Sequence, residues 1–250
     1  MTRRLVLNDA KTEILHIRSH YKKTVDLTSL RIGDTSVETS KCVRDLGVYF
    51  NNRSDMSSHV SHVCQNASFA LYRIGRIRNV LDRTNTERLV HAFVTSRLDY
   101  CNSLLYNIED KHIYKLQLLQ NSAARLITRT RKYEHITPVL RELHWLPVYS
   151  RIHFKILLFV YKILHNQAPA YLSDLIMVKE TPVRVLRSAP APGVPVLKPV
   201  DYEQKHFGYR SFSFATPTLW NVLPDEIRLS PTVSSFKSVL KTHFFRKHYG

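Results

Sequence analysis

The stretch VRDLGVYFNNRSDMSSHVSHVCQNASFALYRIGRIR, residues 43–78, contains the change of periodicity on which the fold turns. Its opening, with LGVYF at 46–50, has the β-branched and aromatic composition of a strand. From Ser57 the apolar period lengthens. Val60, Val63, Cys64, Ala67, Leu71, Ile74 and Leu81 recur at three- and four-residue steps, which places them along one stripe of a helix.

On the N-terminal side the strand character continues. TEILHIR (12–18) reads as a short strand, and IGDTSVE (32–38) carries a turn between strands. On the C-terminal side the helical period is repeated. TNTE (84–87) offers Thr84 and Glu87 as a capping box, predicting a helix from Thr84 with Leu89, Ala92, Phe93, Ser96, Tyr100 and Leu104 along one side. A third helix is expected from about Lys111 to Arg129, with Leu116, Leu119, Ala123, Leu126 and Ile127 as its stripe. Three consecutive helices with one apolar face each bury those faces against one another, as a bundle.

Beyond the bundle, Pro138 follows Thr137 as a first-turn proline, and a long helix covers roughly Tyr149 to His165 with Arg151, Lys155 and Lys162 on its polar side. APAYLSDLI (168–176) adds a helical turn. Pro182, Pro190, Pro192, Pro195 and Pro199 then forbid a continuous helix or central strand, so this stretch is expected to be a linker or an extended arm over the surface. Order is expected to return in FGYRSFSFATPTLWNVLPDEIR (207–228), where Trp220 reads as a core anchor. A last amphipathic helix follows in TVSSFKSVLKTHFF (232–245), with Phe236, Val239, Leu240 and Phe244 on one face. The expected class is mainly α: a short N-terminal β-hairpin region, a helical bundle, and a C-terminal extension reached through a Pro-rich linker.

Charge is the strongest global signal. Lys and Arg number 37 against 20 Asp and Glu, a net +17, and an excess of that size suits a polyanion whose condensed counterions are released on binding. The cations are clustered. Arg73, Arg76 and Arg78 close the first helix. Lys111, Lys115, Arg125, Arg129, Arg131 and Lys132 run to Tyr133 without an acid, and so do Arg228, Lys237, Lys241, Arg246 and Lys247 from Ile227 to the C-terminus. Such side chains contact phosphates without reading bases. The expected partner is RNA or DNA, held through its duplex backbone.

Other chemistries are poorly supported. Cys42, Cys64 and Cys101 are few, odd in number and far apart, which suits a reducing, intracellular compartment, nuclear or cytoplasmic. No membrane is expected as a partner, because the longest clean apolar run, Ile156 to Tyr161, is too short to span one. His59, His62 and Cys64 are the one candidate metal set, but no second ligand pair follows at finger-like spacing, so neither metal nor cofactor is expected. Asp225–Glu226 and Glu109–Asp110 suit the first turns of helices, where negative charge meets the dipole. No phosphate-cradling glycine loop, nucleophile elbow or Asp-Asp strand turn is present.

Several motifs, in order, carry a resemblance. LNDAKTEILHI (7–17), the 43–78 stretch, RLDYCNSLLY (97–106), LQNSAARLI (119–127), LHWLPVYSRIHFKILLFVYKILHNQAPAYLSDL (143–175) and RSFSFATPTLWNVLPDEIR (210–228) resemble the end of the reverse transcriptase in LINE-type, non-LTR retrotransposons of the jockey-like and chicken-repeat-like groups. The resemblance covers nearly the whole chain. It implies that residues 1–56 are the end of the palm and the primer-grip hairpin, and 57–133 a thumb-like three-helix bundle. It implies a helical extension at 134–178, the linker at 179–206 and an aromatic-rich C-terminal segment at 207–250. Asn8, Lys11 and Thr12 match the palm motif, and Leu46, Gly47 and Val48 the primer grip. In the family Lys11 would stand near the leaving pyrophosphate, but the family's catalytic Asp-Asp turn lies N-terminal to this motif, and without its metal ligands phosphoryl transfer is not expected. Leu7, Ile14 and Ile17 are expected to lack the palm strands they would pair with, exposing an edge.

Three functions are compatible with this reading. The leading one is a non-catalytic fragment that binds nucleic acid through Arg73, Arg76, Arg78, Lys115, Arg125, Arg129, Arg131 and Lys132. The others are an active polymerase whose catalytic part lies upstream, and a domesticated protein-interaction module that docks a partner through Trp220.

Overall fold

The structure, a computed structural model, describes residues 8, 11–17, 27–33, 35–179, 193–202 and 208–250. It is mainly helical, and among the described residues the strands are short and lie in the N-terminal region.

Among the described residues, five strands come first. β1 (Ile14–Leu15) pairs in parallel with β3 (Thr35–Ser40), and β3 pairs antiparallel with β2 (Ser29–Ile32), giving the order β1-β3-β2. Ile14 and Leu15 find partners within the chain at Thr39 and Ser40, but β1 is the outer strand of this order, so its other edge has no partner strand among the described residues. Leu7 lies outside the described residues, and Ile17 is half exposed. The turn expected in IGDTSVE is the tip of the β2–β3 hairpin.

The second hairpin pairs β4 (Cys42–Asp45) with β5 (Val48–Asn51), in the register Asp45↔Val48 and Cys42↔Asn51. Leu46 and Gly47 make its two-residue turn with φ of 44° and 85°. Positive φ at both positions gives the turn a twist that matches the strands, and the second position falls on glycine, where it costs least. A Cβ on Gly47 would also stand 3.4 Å from the Tyr100 ring, whose hydroxyl donates to the Leu46 carbonyl at 2.5 Å. Val48 points the other way and is buried.

The chain then enters α1 (Ser57–Ile77) through a carboxylate cap: Asp55 accepts from the Ser57 amide at 2.8 Å and from Asn51 Nδ2 at 2.6 Å. Burial pushes the Asp55 carboxyl up, but the hydrogen bonds from Ser57 and Asn51 outweigh it and hold it at about 2. Val60, Ala67 and Ile74 are buried, and Val63, Cys64 and Leu71 pack against them as the spacing predicts; Leu81 packs there too, but from extended backbone beyond the end of the helix.

The second helix departs from expectation. Asp82, not Thr84, is the cap, accepting from the Asn85 amide at 2.6 Å. α2 (Arg83–Val90) passes through a π turn at His91–Thr95 into α3 (Ser96–Asp99). Its buried residues are Thr86, Val90, Val94 and Leu98, while Phe93, Tyr100 and Leu104 are exposed. Steps of four residues drift about 40° each around an α-helix, and the wider π turn absorbs that drift so the four stay in line. A strict 3.6 period therefore selects the wrong face.

α4 (Asp110–Thr128) lies parallel to α1. Gly75 approaches the Leu126 side chain, Lys115 stands near Cys64, and Arg78 reaches the carbonyls of Leu126 and Ile127. Its stripe is buried as expected at Leu116, Leu119, Ala123 and Ile127. α5 (Ile136–Glu142) holds Pro138 in its first turn.

α6 (Val148–Leu164) joins two apolar clusters, which is why its sequence is apolar nearly all round. Ile152 and Ile156 pack into the cluster shared with α1 and α4; Leu157, Val160 and Tyr161 pack into a second one. Gln117 of α4 accepts from the Val148 amide at 2.9 Å, tying the start of α6 to the bundle. After α7 (Ala170–Ser173), the second cluster is completed by α8 (Phe212–Trp220), α9 (Asp225–Arg228) and α10 (Val233–Tyr249). Phe236, Leu240 and Phe244 are buried as expected, whereas Val239 is 40% exposed.

Trp220 is fully buried and donates to the Pro195 carbonyl at 2.9 Å. The described part of the Pro-rich stretch is anchored to the core at Val194 and Leu197. Leu197 is fully buried, its amide and carbonyl are both held by the Asn221 side chain, and Val178 bridges to it. Pro182, Pro190 and Pro192 lie outside the described residues.

Candidate nucleic-acid interface

The candidate cations fall into two groups once their donors are followed. The first is structural. Arg78 is buried and spends its guanidinium on backbone: Nε donates to the Leu126 carbonyl at 2.9 Å, one terminal nitrogen to Leu81 at 2.8 Å, and the other to Ile127 at 2.9 Å. The last carbonyls of a helix have no partner within it, and the C-terminal end carries partial negative charge, so a cation there is doubly favoured. Arg78 thus caps α4, with each of its three guanidinium nitrogens bonded to a backbone carbonyl; its assignment to phosphate contact is corrected. Arg125 is half buried and ties the following loop to α4, donating to the carbonyls of Arg131 and Glu134, the latter at 2.7 Å. Arg228, from the C-terminal cluster, is buried and paired with Asp225.

The second group is exposed: Arg73 and Arg76 on α1, Lys115 on α4, and Arg129, Arg131 and Lys132 where α4 ends. None of them has an acidic partner within salt-bridge distance among the described residues. α1 contains no Asp or Glu at all, and α4 only Asp110 at its start. Arg129 holds a left-handed conformation, φ 58°, as the residue that ends α4, and it donates to the Arg78 carbonyl at 3.3 Å. Because α1 and α4 run parallel, Arg73 and Arg76 stand beside the same end of the pair as Arg129 and the loop behind it. At 100° per residue, Lys111, Lys115 and Ser122 fall on one strip of α4 within about 40°, to one side of its buried stripe.

Sequence reasoning missed the aromatic component of this face. Phe69 and Tyr72 are 62% and 63% exposed and share the outer arc of α1 with Arg73 and Arg76, and the Arg73 guanidinium lies 5.8 Å from the Phe69 ring centroid. The signal was present: both rings lie opposite the stripe of Val60, Ala67 and Ile74. Tyr133, beside Lys132, is 94% exposed.

The residues matched by resemblance are separate from this face in kind. The Asn8 carbonyl accepts from the Lys11 amide and the Thr12 hydroxyl, both at 3.0 Å, a local turn with Lys11 exposed. Leu46 is 84% exposed at the hairpin tip, steadied by Tyr100. The set His59, His62 and Cys64 does not converge: His59 is buried, His62 stacks on Tyr49 at 3.9 Å, and Cys64 packs against the core. Among the described residues no group of three or more His, Cys, Asp or Glu could hold a metal ion, and no helix is long and apolar enough to cross a membrane.

No protein-family model, curated protein or solved structure matches the chain.

Proposed function

We propose that this chain is the palm end, primer-grip hairpin, thumb and C-terminal extension of a LINE-type reverse transcriptase, and that its own activity is sequence-independent binding of RNA or DNA. The role proposed for these residues is binding and not phosphoryl transfer. The observation that carries the reading is the exposure of Arg73 and Arg76 on α1, Lys115 on α4, and Arg129, Arg131 and Lys132 where α4 ends, with no acidic partner among the described residues. A cationic face of that kind attracts phosphates by counterion release and holds them without reading base sequence. Support for the family reading comes from order: a strand, a tight hairpin and three helical segments follow one another as the resemblance implies.

The test separates this face from net charge. Reversing Arg73→Glu with Arg76→Glu is expected to weaken binding of an RNA–DNA hybrid by about tenfold or more, two phosphate contacts being lost. Reversing Lys237→Glu with Lys241→Glu on α10 changes net charge equally and is expected to do much less. Equal losses from both pairs would refute a localised interface.

A further inference from the structure

We infer that the α1 side of this face takes unpaired nucleotides, a single-stranded segment of RNA or DNA whose bases stack on Phe69 and Tyr72 while Arg73 and Arg76 hold its phosphates. The inference rests on the nucleic-acid reading above and narrows it.

The rings contribute little to the fold. Phe69 and Tyr72 are 62% and 63% exposed, on the arc of α1 opposite Val60, Ala67 and Ile74, which are buried at 0%, 0% and 5% exposure. One helical turn separates the two rings, and Arg76 projects about 20° from Phe69 and about 40° from Tyr72 around the axis. Arg73 already lies over Phe69, 5.8 Å from its centroid, so a cation and an open ring are offered side by side. Tyr133, 94% exposed beside Lys132, repeats the combination where α4 ends.

What distinguishes a strand from a duplex is the face of the base. In a duplex each base is covered by its neighbours, and a protein side chain meets phosphates and base edges only. Exposed rings gain nothing there. In a single strand the π-face is available, every base has one, and stacking on an aromatic side chain is sequence-tolerant. Cations alone would serve both ligands; cations interleaved with exposed aromatics favour the strand. The charge of the face excludes an acidic repulsion: α1 has no Asp or Glu to oppose a phosphate.

The experiment uses the full chain, with fluorescein-labelled oligouridylate as the strand and an RNA–DNA hybrid of equal length as the duplex, both read by anisotropy. Phe69→Ala with Tyr72→Ala is expected to weaken strand binding by about tenfold or more and hybrid binding by no more than about twofold, while Tyr72→Phe keeps strand affinity because the ring is retained. Both rings being mostly exposed, the variants are expected to melt as the parent does. Unchanged strand binding, or equal losses for strand and hybrid, would overturn the inference and leave the nucleic-acid reading standing. If the parent binds neither probe, that reading falls and the inference with it. A parent dimer that dissociates on Phe69→Ala, with no strand binding, would reassign the rings to self-association and overturn the inference.

Discussion

Replacing Arg78 by alanine tests the structural account at a residue whose sequence context points elsewhere. Its guanidinium makes three hydrogen bonds to carbonyls, at 2.9, 2.8 and 2.9 Å, two of them to the last turn of α4. A hydrogen bond with one ionised partner contributes about 1.5–3 kcal/mol, which would sum to roughly 5–9 kcal/mol if the three were independent. They are not independent, and burying the guanidinium costs solvation, so the net loss is expected nearer 3–5 kcal/mol, in keeping with about 1–3 kcal/mol for each buried carbonyl left without a donor. In a chain of this length each kcal/mol moves Tm by about 2–4 °C, giving a fall of roughly 6–20 °C. Arg78→Lys is expected to recover less than half of it, because one ammonium cannot span the carbonyls of Leu81 and Ile127. Thermal melts followed by far-UV circular dichroism read the effect, with anisotropy against the hybrid alongside. An Arg78→Ala protein that melts like the parent yet loses hybrid affinity would refute the reasoning, since Arg78 would then be a phosphate contact.

Two further outcomes are expected. Trp220→Ala should cost about 3–5 kcal/mol, because a fully buried indole and its bond to Pro195 are lost together; a fully stable variant that has lost only a binding partner would favour the interaction-module reading. Acid should destabilise the fold through His153, whose burial, with Lys247 and His248 nearby, lowers its pKa from 6.5 to about 4. Between those values the unfolded chain binds the proton and the folded chain does not. Stability from this group is therefore complete above pH 6.5 and is lost as pH falls toward 4, by a few kcal/mol. His153→Phe should flatten the pH dependence of urea midpoints in that window, and an unchanged slope would contradict the assignment.

The helices α1, α4, α6 and α10 were legible because Val60, Ala67 and Ile74, or Leu116, Leu119, Ala123 and Ile127, repeat at a helical period and a folded chain must bury such stripes. Val94 and Leu98 were not, because a π turn realigns residues four apart and leaves Phe93 and Tyr100 outside. Leu197 was hidden among prolines that exclude helix yet permit an extended segment inside a core. At the candidate site, composition located the right helices but could not sort the cations. Arg76 and Arg78 look alike in sequence. Whether an arginine meets solvent or a helix end depends on α4 arriving in parallel some 50 residues later in the chain, as the Arg78–Ile127 bond records. The exposed rings Phe69 and Tyr72 could have been found, since they fall opposite the apolar stripe.

The most direct measurement is the affinity of the full chain for an RNA–DNA hybrid as a function of salt. If the six exposed cations Arg73, Arg76, Lys115, Arg129, Arg131 and Lys132 all meet phosphates, log Kobs should fall against log salt with a slope of about −5, and removing Arg73 and Arg76 should reduce its magnitude by about 2. A slope near zero, or one that the double variant leaves unchanged, would contradict the proposal that this face binds nucleic acid.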